Sequence, residues 1–131
     1  MIGIDTNVLL RLLLDDDAMQ ARRIDALLAA HGTQAGAVHV ADVVLAETLW
    51  TLVSLYQQPK PALIEALRSL LNEPVFSFED PAAVTTAVAA FEHASCGFSD
   101  CLIAAKNRAM GCEFTASFDK RMRRLEGVRV L

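Results

Sequence analysis

The sequence lacks the features that mark a membrane protein, a disulfide scaffold or a zinc site. No apolar run is long enough to span a bilayer. Residues 2–14 come nearest to a signal segment, but Asp5 and Arg11 interrupt them and no basic region precedes them. The three cysteines form no CxxC pair, and the three histidines show no ligand spacing. We therefore expect a cytoplasmic protein with reduced, mostly buried thiols and no membrane segment.

Internal repeats, linkers and low-complexity segments are also absent, so the 131 residues predict a single domain, residues 1–131. Hydrophobic residues make up 53% of the chain, and the mean hydropathy is +0.33. These values are high for a soluble monomer. They predict either a fully buried parallel sheet or an apolar patch that a partner covers.

Basic residues are scarce until the C-terminal end. Residues 1–105 carry 5 basic and 13 acidic groups, a net charge of −8, whereas residues 106–131 carry 7 basic and 3 acidic groups, a net charge of +4. An acidic body with a basic end does not suit a protein that coats nucleic acid. It predicts contact with a phosphate backbone at one localised place.

Short apolar runs alternate with helical patterns along the whole chain. The predicted strands are at residues 1–4, 37–41, 75–78, 112–116 and 128–131. This alternation predicts an α/β domain with a parallel sheet of about five strands and helices on both faces. Two of the predicted helices, at residues 43–56 and 62–71, are rich in leucine and are candidates for a partner-binding face.

Three aspartates are expected at the carboxyl edge of the sheet, where open α/β sheets bind their ligands. Asp5 follows the first predicted strand, Asp119 follows the fourth, and Asp100 lies in the first turn of a helix. Helix capping is the alternative role for each of them. At the first helix, Asn7 is the better candidate for the cap.

Glu47 is the single charged residue within the apolar pattern at residues 43–56. No Lys or Arg occurs between Arg23 and Lys60, so no basic residue lies within a helical turn of Glu47. Because an unpaired buried charge is strongly unfavourable, we expect this carboxylate either to bind a metal or to pair with a distant arginine.

The four carboxylates would repel one another and raise one another's pKa if they shared a crevice. A divalent cation removes this penalty. A set of oxygen ligands without His or Cys selects Mg²⁺ or Mn²⁺ rather than zinc.

The stretch IDTNVLLR at residues 4–11 resembles the opening of the PIN-domain ribonucleases. More narrowly, it is similar to the VapC-type toxins of bacterial toxin–antitoxin pairs. The later landmarks follow in the same order and extend the resemblance to the whole chain: Glu47 in an apolar helix, Ser99-Asp100 before Leu-Ile-Ala-Ala, and Ser117-Phe118-Asp119 after a strand.

The resemblance implies a three-layer, PIN-like α/β domain and a Mg²⁺- or Mn²⁺-dependent endoribonuclease that hydrolyses RNA phosphodiester bonds. It implies four catalytic and metal-binding acids: Asp5, Glu47, Asp100 and Asp119. Thr6 and Ser117 are the implied hydrogen-bonding companions of these acids. A homodimer is implied as well, together with a cognate antitoxin whose C-terminal segment covers the acidic pocket.

One residue departs from the family pattern. Cys101 directly follows Asp100, where a small inert residue is more usual. A core thiol is one interpretation of this position. A thiol beside the acidic cluster also predicts sensitivity to oxidation.

The strongest basic patch directly follows Asp119 and contains Lys120, Arg121, Arg123 and Arg124. We expect these residues and Arg11 to bind RNA phosphates, with a solvated helix face as the alternative for each one.

Two other functions are weighed against a nuclease. A haloacid-dehalogenase-type phosphatase needs a second Asp at position 7, where this chain has Asn. A PIN-like module that binds RNA without cleaving it differs from a nuclease only in an assay.

Overall fold

A computed structural model describes residues 1–131, and strands alternate with helices in the predicted order. The strands are β1 Ile2–Gly3, β2 Val38–Val40, β3 Phe76–Phe78, β4 Thr115–Ser117 and β5 Val128–Val130. The helices are α1 Thr6–Leu13, α2 Ala18–His31, α3 Asp42–Ser54, α4 Lys60–Asn72, α5 Pro81–His93 and α6 Phe98–Ala109, with a 3₁₀ helix at Lys120–Met122. The predicted α/β class is confirmed.

The five strands form two parallel hydrogen-bonded sheets. One sheet has the order β1-β2-β3, with Ile2 opposite Val38 and Val38 opposite Phe76. In the other sheet β4 pairs with β5, and Thr115 lies opposite Val128. The parallel pairing agrees with the prediction, whereas the strands divide into sheets of three and two rather than bonding as one sheet of five.

Backbone contacts divide the chain into two compact units. The first unit comprises Met1–Pro59 and Ser69–Glu79 and contains the three-stranded sheet. The second comprises Lys60–Arg68 and Asp80–Leu131 and contains β4 and β5. A single domain over residues 1–131 therefore stays a prediction.

Helix α3 has both a buried side and an exposed apolar side. Leu45, Leu49 and Leu52 are buried, and α1 packs against α3. Val43 and Trp50 are nevertheless 61% and 66% exposed. The prediction of an exposed apolar face is therefore supported for this helix.

Helix α4 does not supply the apolar face that its sequence suggested. Most of its large apolar side chains are buried, namely Leu63, Ile64, Leu67 and Leu70, and Leu71 is partly buried. Leucines at three- and four-residue spacing form one stripe along a helix, and here that stripe belongs to the core.

In the second unit, α5 packs against α6. The rings of Phe91 and Phe98 meet edge to face, with centroids 6.0 Å apart. The Nζ of Lys60 donates hydrogen bonds to the carbonyl oxygens of Phe91, at 3.0 Å, and Ala94, at 2.7 Å. This ammonium therefore neutralises the negative end of α5.

Aspartate side chains cap some of the helices. Asp17 and Asp80 cap α2 and α5 through hydrogen bonds of 3.0 Å from the backbone N–H groups of Gln20 and Ala83. Helices α3, α4 and α6 begin without a side-chain cap, and Asp42 is the first residue of α3. None of the helices is both long and apolar enough to cross a membrane.

The buried side of α3 gives a stability prediction. Leu45 is fully buried, while Leu55, at the end of the same helix, is 71% exposed. We expect Leu45→Ala to lower the free energy of unfolding by about 2–5 kcal/mol, because it leaves a cavity, and Leu55→Ala to change it far less. Urea denaturation at one protein concentration measures both. Equal losses for the two variants would contradict the described packing.

Candidate active site

Asp5 lies where β1 leads into α1 and is exposed. Its Oδ1 accepts a hydrogen bond from the backbone N–H of Val8 at 3.0 Å, which makes Asp5 the N-cap of α1. The prediction that Asn7 caps this helix is therefore wrong, because the helix already begins at Thr6. One carboxylate oxygen of Asp5 caps the helix, and the other remains available to a ligand.

Glu47 is exposed on α3, which corrects the expectation that it is a buried charge. Its Oε2 accepts a hydrogen bond from the hydroxyl of Thr6 at 2.9 Å. The structure therefore brings Glu47 together with its predicted companion Thr6, which directly follows Asp5 in the chain. Since the carboxylate is solvated, burial alone gives no reason for it to bind a metal.

Asp100 and Asp119 lie in the second unit. Asp100 is the third residue of α6, and its Oδ2 accepts a hydrogen bond from the backbone N–H of Gly97 at 3.3 Å. Asp119 follows β4, and its own backbone N–H donates to the hydroxyl of Ser117 at 3.0 Å. Ser117 thus fixes the turn that carries Asp119, while its own hydroxyl donates to Sδ of Met122 at 3.3 Å rather than to a carboxylate.

Both aspartates affect the pKa of two neighbouring groups, Arg121 and Cys96. Asp119 and, more weakly, Asp100 raise the pKa of the Arg121 guanidinium. The same two carboxylates contribute to the raised pKa of the Cys96 thiol, whose main cause is burial. Asp100 and Asp119 therefore create one local negative field in the second unit.

Arg121 forms a two-pronged ion pair with Asp119. Its Nε donates to Oδ1 at 3.1 Å and its Nη2 donates to Oδ2 at 2.9 Å, while its backbone N–H donates to Oδ1 at 2.8 Å. These interactions hold the pKa of Asp119 below its usual value. The side-chain hydrogen bond from Arg121 is the largest cause, and the backbone hydrogen bond from Arg121 is the next. Because Arg121 engages both oxygens of Asp119, a cation at this carboxylate competes with the guanidinium.

The sequence patterns did not reveal this pair, although they named both residues. Positions 119 and 121 lie too close in sequence for a helix-face pairing, and the contact arises from the 3₁₀ turn at Lys120–Met122. Arg121 was predicted as an RNA contact, a role that requires it to exchange Asp119 for a phosphate.

The other predicted RNA-binding residues have two different environments. Lys120, Arg123 and Arg124 are exposed. Arg11 is partly buried and pairs with Asp16, and its pKa is raised by hydrogen bonds to Asp16 and then to Tyr56. An RNA contact by Arg11 therefore requires this pairing to open.

The thiol of Cys101, next to Asp100, is expected to be unreactive. Cys96 and Cys101 are both buried, and burial raises the pKa of Cys101 to about 12. Since the thiolate is the reactive form, the expected sensitivity of Cys101 to oxidation is not supported. Cys112 is the exposed cysteine.

The candidate acids suit a hard cation by their chemistry. All donors are carboxylate oxygens, and Asp5, Glu47 and Asp100 form no ion pair with Lys or Arg. No three Asp, Glu, His or Cys side chains are grouped closely enough to hold a metal ion, however. The donor types fit Mg²⁺ or Mn²⁺, and a metal centre that contains all four acids is a proposal.

The alternation of strands and helices defines an α/β protein, with acids at the starts of α1 and α6. The chain belongs to the PIN domain family, whose model matches residues 2–128. PIN domains are typically nucleases and generally use divalent metals. No curated protein and no solved structure matches the chain.

The burial of the cysteines gives a prediction for thiol chemistry. In the native protein at neutral pH, we expect dithionitrobenzoate to react rapidly with Cys112 and slowly with Cys96 and Cys101, because burial shields those two from the reagent and raises their pKa. Absorbance of the released thiolate measures this. The variant Cys112→Ser should lose the rapid phase alone. A rapid phase that persists in this variant would show that the buried thiols are accessible.

Proposed function

We propose that the protein is a Mg²⁺- or Mn²⁺-dependent endoribonuclease that hydrolyses RNA phosphodiester bonds and serves as the toxin of a toxin–antitoxin pair. The observation that carries the proposal is the match to the PIN domain over residues 2–128, a range that contains all four candidate acids. Three of those acids have no basic partner, so they are free to take a cation.

In this proposal Asp5 and Asp100 are the main metal ligands, and Glu47 and Asp119 contribute directly or through water. When bound, the cation supplies a water molecule of lowered pKa and polarises the scissile phosphate. Thr6 holds Glu47 in place through its hydroxyl. Ser117 holds the turn of Asp119 in the same way.

The basic side chains after Asp119 supply contacts to the RNA backbone. Lys120, Arg123 and Arg124 are exposed and face no competing acid in the structure. Such contacts position the strand without reading its sequence. Arg121 joins them when it releases Asp119. In that arrangement a phosphate would pair with Arg121, and the cation would pair with Asp119.

The sharpest test removes a charge and keeps the helix cap. Asp5→Asn retains an oxygen that accepts from Val8, because Asn caps helices as well as Asp does. We expect it to keep the fold and to lose RNA cleavage in Mg²⁺ by at least about 100-fold, since a neutral amide is a poor ligand for this cation. Cleavage of a fluorescent RNA, with circular dichroism for the fold, measures both.

The matched control is Asp17→Asn, which changes the N-cap of α2 in the same way outside the candidate site. It should cleave at the wild-type rate. Wild-type cleavage by Asp5→Asn would overturn the proposed site. If the wild type binds RNA but never cleaves it, and EDTA changes nothing, the non-cleaving PIN-like module is the correct function.

A homodimer and an antitoxin are the proposed protein partners. Trp50, Val53 and Leu55 form an exposed apolar side at the end of α3, C-terminal to Glu47. A second copy of the chain is the occupant that we propose for this side of α3. The antitoxin segment is proposed to cover the carboxylates, for which a basic side chain is the complementary group.

The proposed dimer has a direct test. Trp50 is 66% exposed on α3, and Met110, outside α3, is 81% exposed. We expect Trp50→Glu to convert a dimer to a monomer, because it places a charge in an apolar interface, and Met110→Glu to leave the dimer intact. Light scattering at micromolar concentration measures the mass. A monomeric wild type would contradict the dimer.

The cytoplasm is the proposed location. All three cysteines are free thiols, which suits a reducing compartment.

A further inference from the structure

One side of the β4–β5 ladder is open to solvent. Ala116 lies opposite Arg129 in the register, so their side chains share one side of the sheet, and both are exposed. The other side carries Thr115, which is buried, and Ser117, which is partly buried. Parallel strands are normally covered on both sides, so an open side needs an explanation.

The open side carries an arginine stacked on an aromatic ring. The guanidinium carbon of Arg129 lies 3.7 Å from the ring centroid of Phe114. The guanidinium thus lies over the ring in a cation–π contact. A planar, weakly hydrated cation presented in this way is suited to stack on a further planar group.

Phe118 directly follows β4, two residues after Ala116. The ring of Phe118 is 83% exposed, which makes it the most exposed aromatic side chain of the chain. The following backbone is fixed by the bonds from the Asp119 N–H to Ser117 and from the Arg121 N–H to Asp119. Phe118 therefore lies in a turn that hydrogen bonds hold in place, immediately before the candidate catalytic residue Asp119.

The charge around this side selects among possible ligands. The stretch 106–131 carries a net charge of +4, and Arg129 lies on the open side itself. A flat, apolar and cationic surface matches the unpaired bases and the phosphates of single-stranded nucleic acid. An acidic or apolar protein partner would need only part of this chemistry.

We propose that the open side of the β4–β5 ladder is a base-stacking site for unpaired RNA, in which Phe118 stacks on a base beside the scissile phosphate and the Phe114–Arg129 pair stacks on another. This inference rests on the proposed ribonuclease function and deepens it by giving the substrate strand a base-binding subsite. Duplex RNA keeps its base faces stacked internally and cannot use this side.

The test measures binding apart from cleavage. In EDTA, fluorescence anisotropy reports the affinity of the full chain for a labelled single-stranded RNA. We expect Phe118→Ala to weaken binding by about 5- to 150-fold, the range for loss of one base–aromatic stack. Phe118→Trp should retain the affinity because indole also stacks. Met110→Ala, which removes an exposed apolar side chain elsewhere, should bind like the wild type.

A second measurement separates stacking from a structural role. A series of RNAs carries one abasic nucleotide at each position in turn. At one position, we expect the abasic change to weaken the wild type and to have no further effect on Phe118→Ala, since both remove the same contact. Losses that add at every position would overturn the base-stacking site.

Other outcomes also decide the question. Wild-type affinity in Phe118→Ala overturns the inference, as does equal affinity for duplex and single-stranded RNA or no RNA binding at all. A change in dimer mass without a change in RNA affinity assigns this side to a protein interface instead. Base-dependent binding without Mg²⁺-stimulated cleavage supports the base-stacking site and contradicts the nuclease function. Mg²⁺-stimulated cleavage that Phe118→Ala leaves unchanged supports the nuclease function and contradicts the base-stacking site.

Discussion

Each of the four candidate carboxylates accepts a hydrogen bond from a residue at the beginning of a helix. Val8 and Thr6 of α1 donate to Asp5 and Glu47. Gly97, before α6, donates to Asp100, and Arg121 of the 3₁₀ helix donates to Asp119. These hydrogen bonds fix the position of each carboxylate at the start of a helix. The negative charge of a carboxylate at such a position needs a positive partner.

The structure meets this need differently in its two units. In the second unit, Arg121 neutralises Asp119, and its pKa is raised mainly by Asp119 and further by Asp100. In the first unit, Asp5 and Glu47 have only neutral donors. In the proposed function, a cation takes carboxylates that have no basic partner, and an RNA phosphate competes with Asp119 for the Arg121 guanidinium.

The sequence predicted the elements well and the details of their ends less well. Alternating apolar runs and helical spacing identified every strand and helix, because burial imposes these periods on the chain. The cap of α1 was misassigned to Asn7, since Asp, Thr and Asn all cap helices and only the backbone selects among them. The division of the strands into two sheets depends on register, which the apolar pattern does not encode.

For the candidate site, the order of the acids was visible in the sequence and their environments were not. An apolar helix predicted a buried Glu47, but α3 exposes one side and Glu47 lies on it. The Arg121 pair and the exposed Phe118 both arise from the turn after β4, where a few dihedral angles decide which side chains meet. Such local geometry leaves no periodic trace in a sequence.

The central claim is that these carboxylates bind a divalent cation, and titration of Mn²⁺ into the protein without RNA tests it most directly. Electron paramagnetic resonance of free Mn²⁺ gives the number of bound ions. The predicted result is saturable binding that Mg²⁺ displaces and that Asp100→Asn abolishes, while circular dichroism shows an unchanged fold. A wild type that leaves all of the Mn²⁺ free at millimolar concentration would contradict the claim.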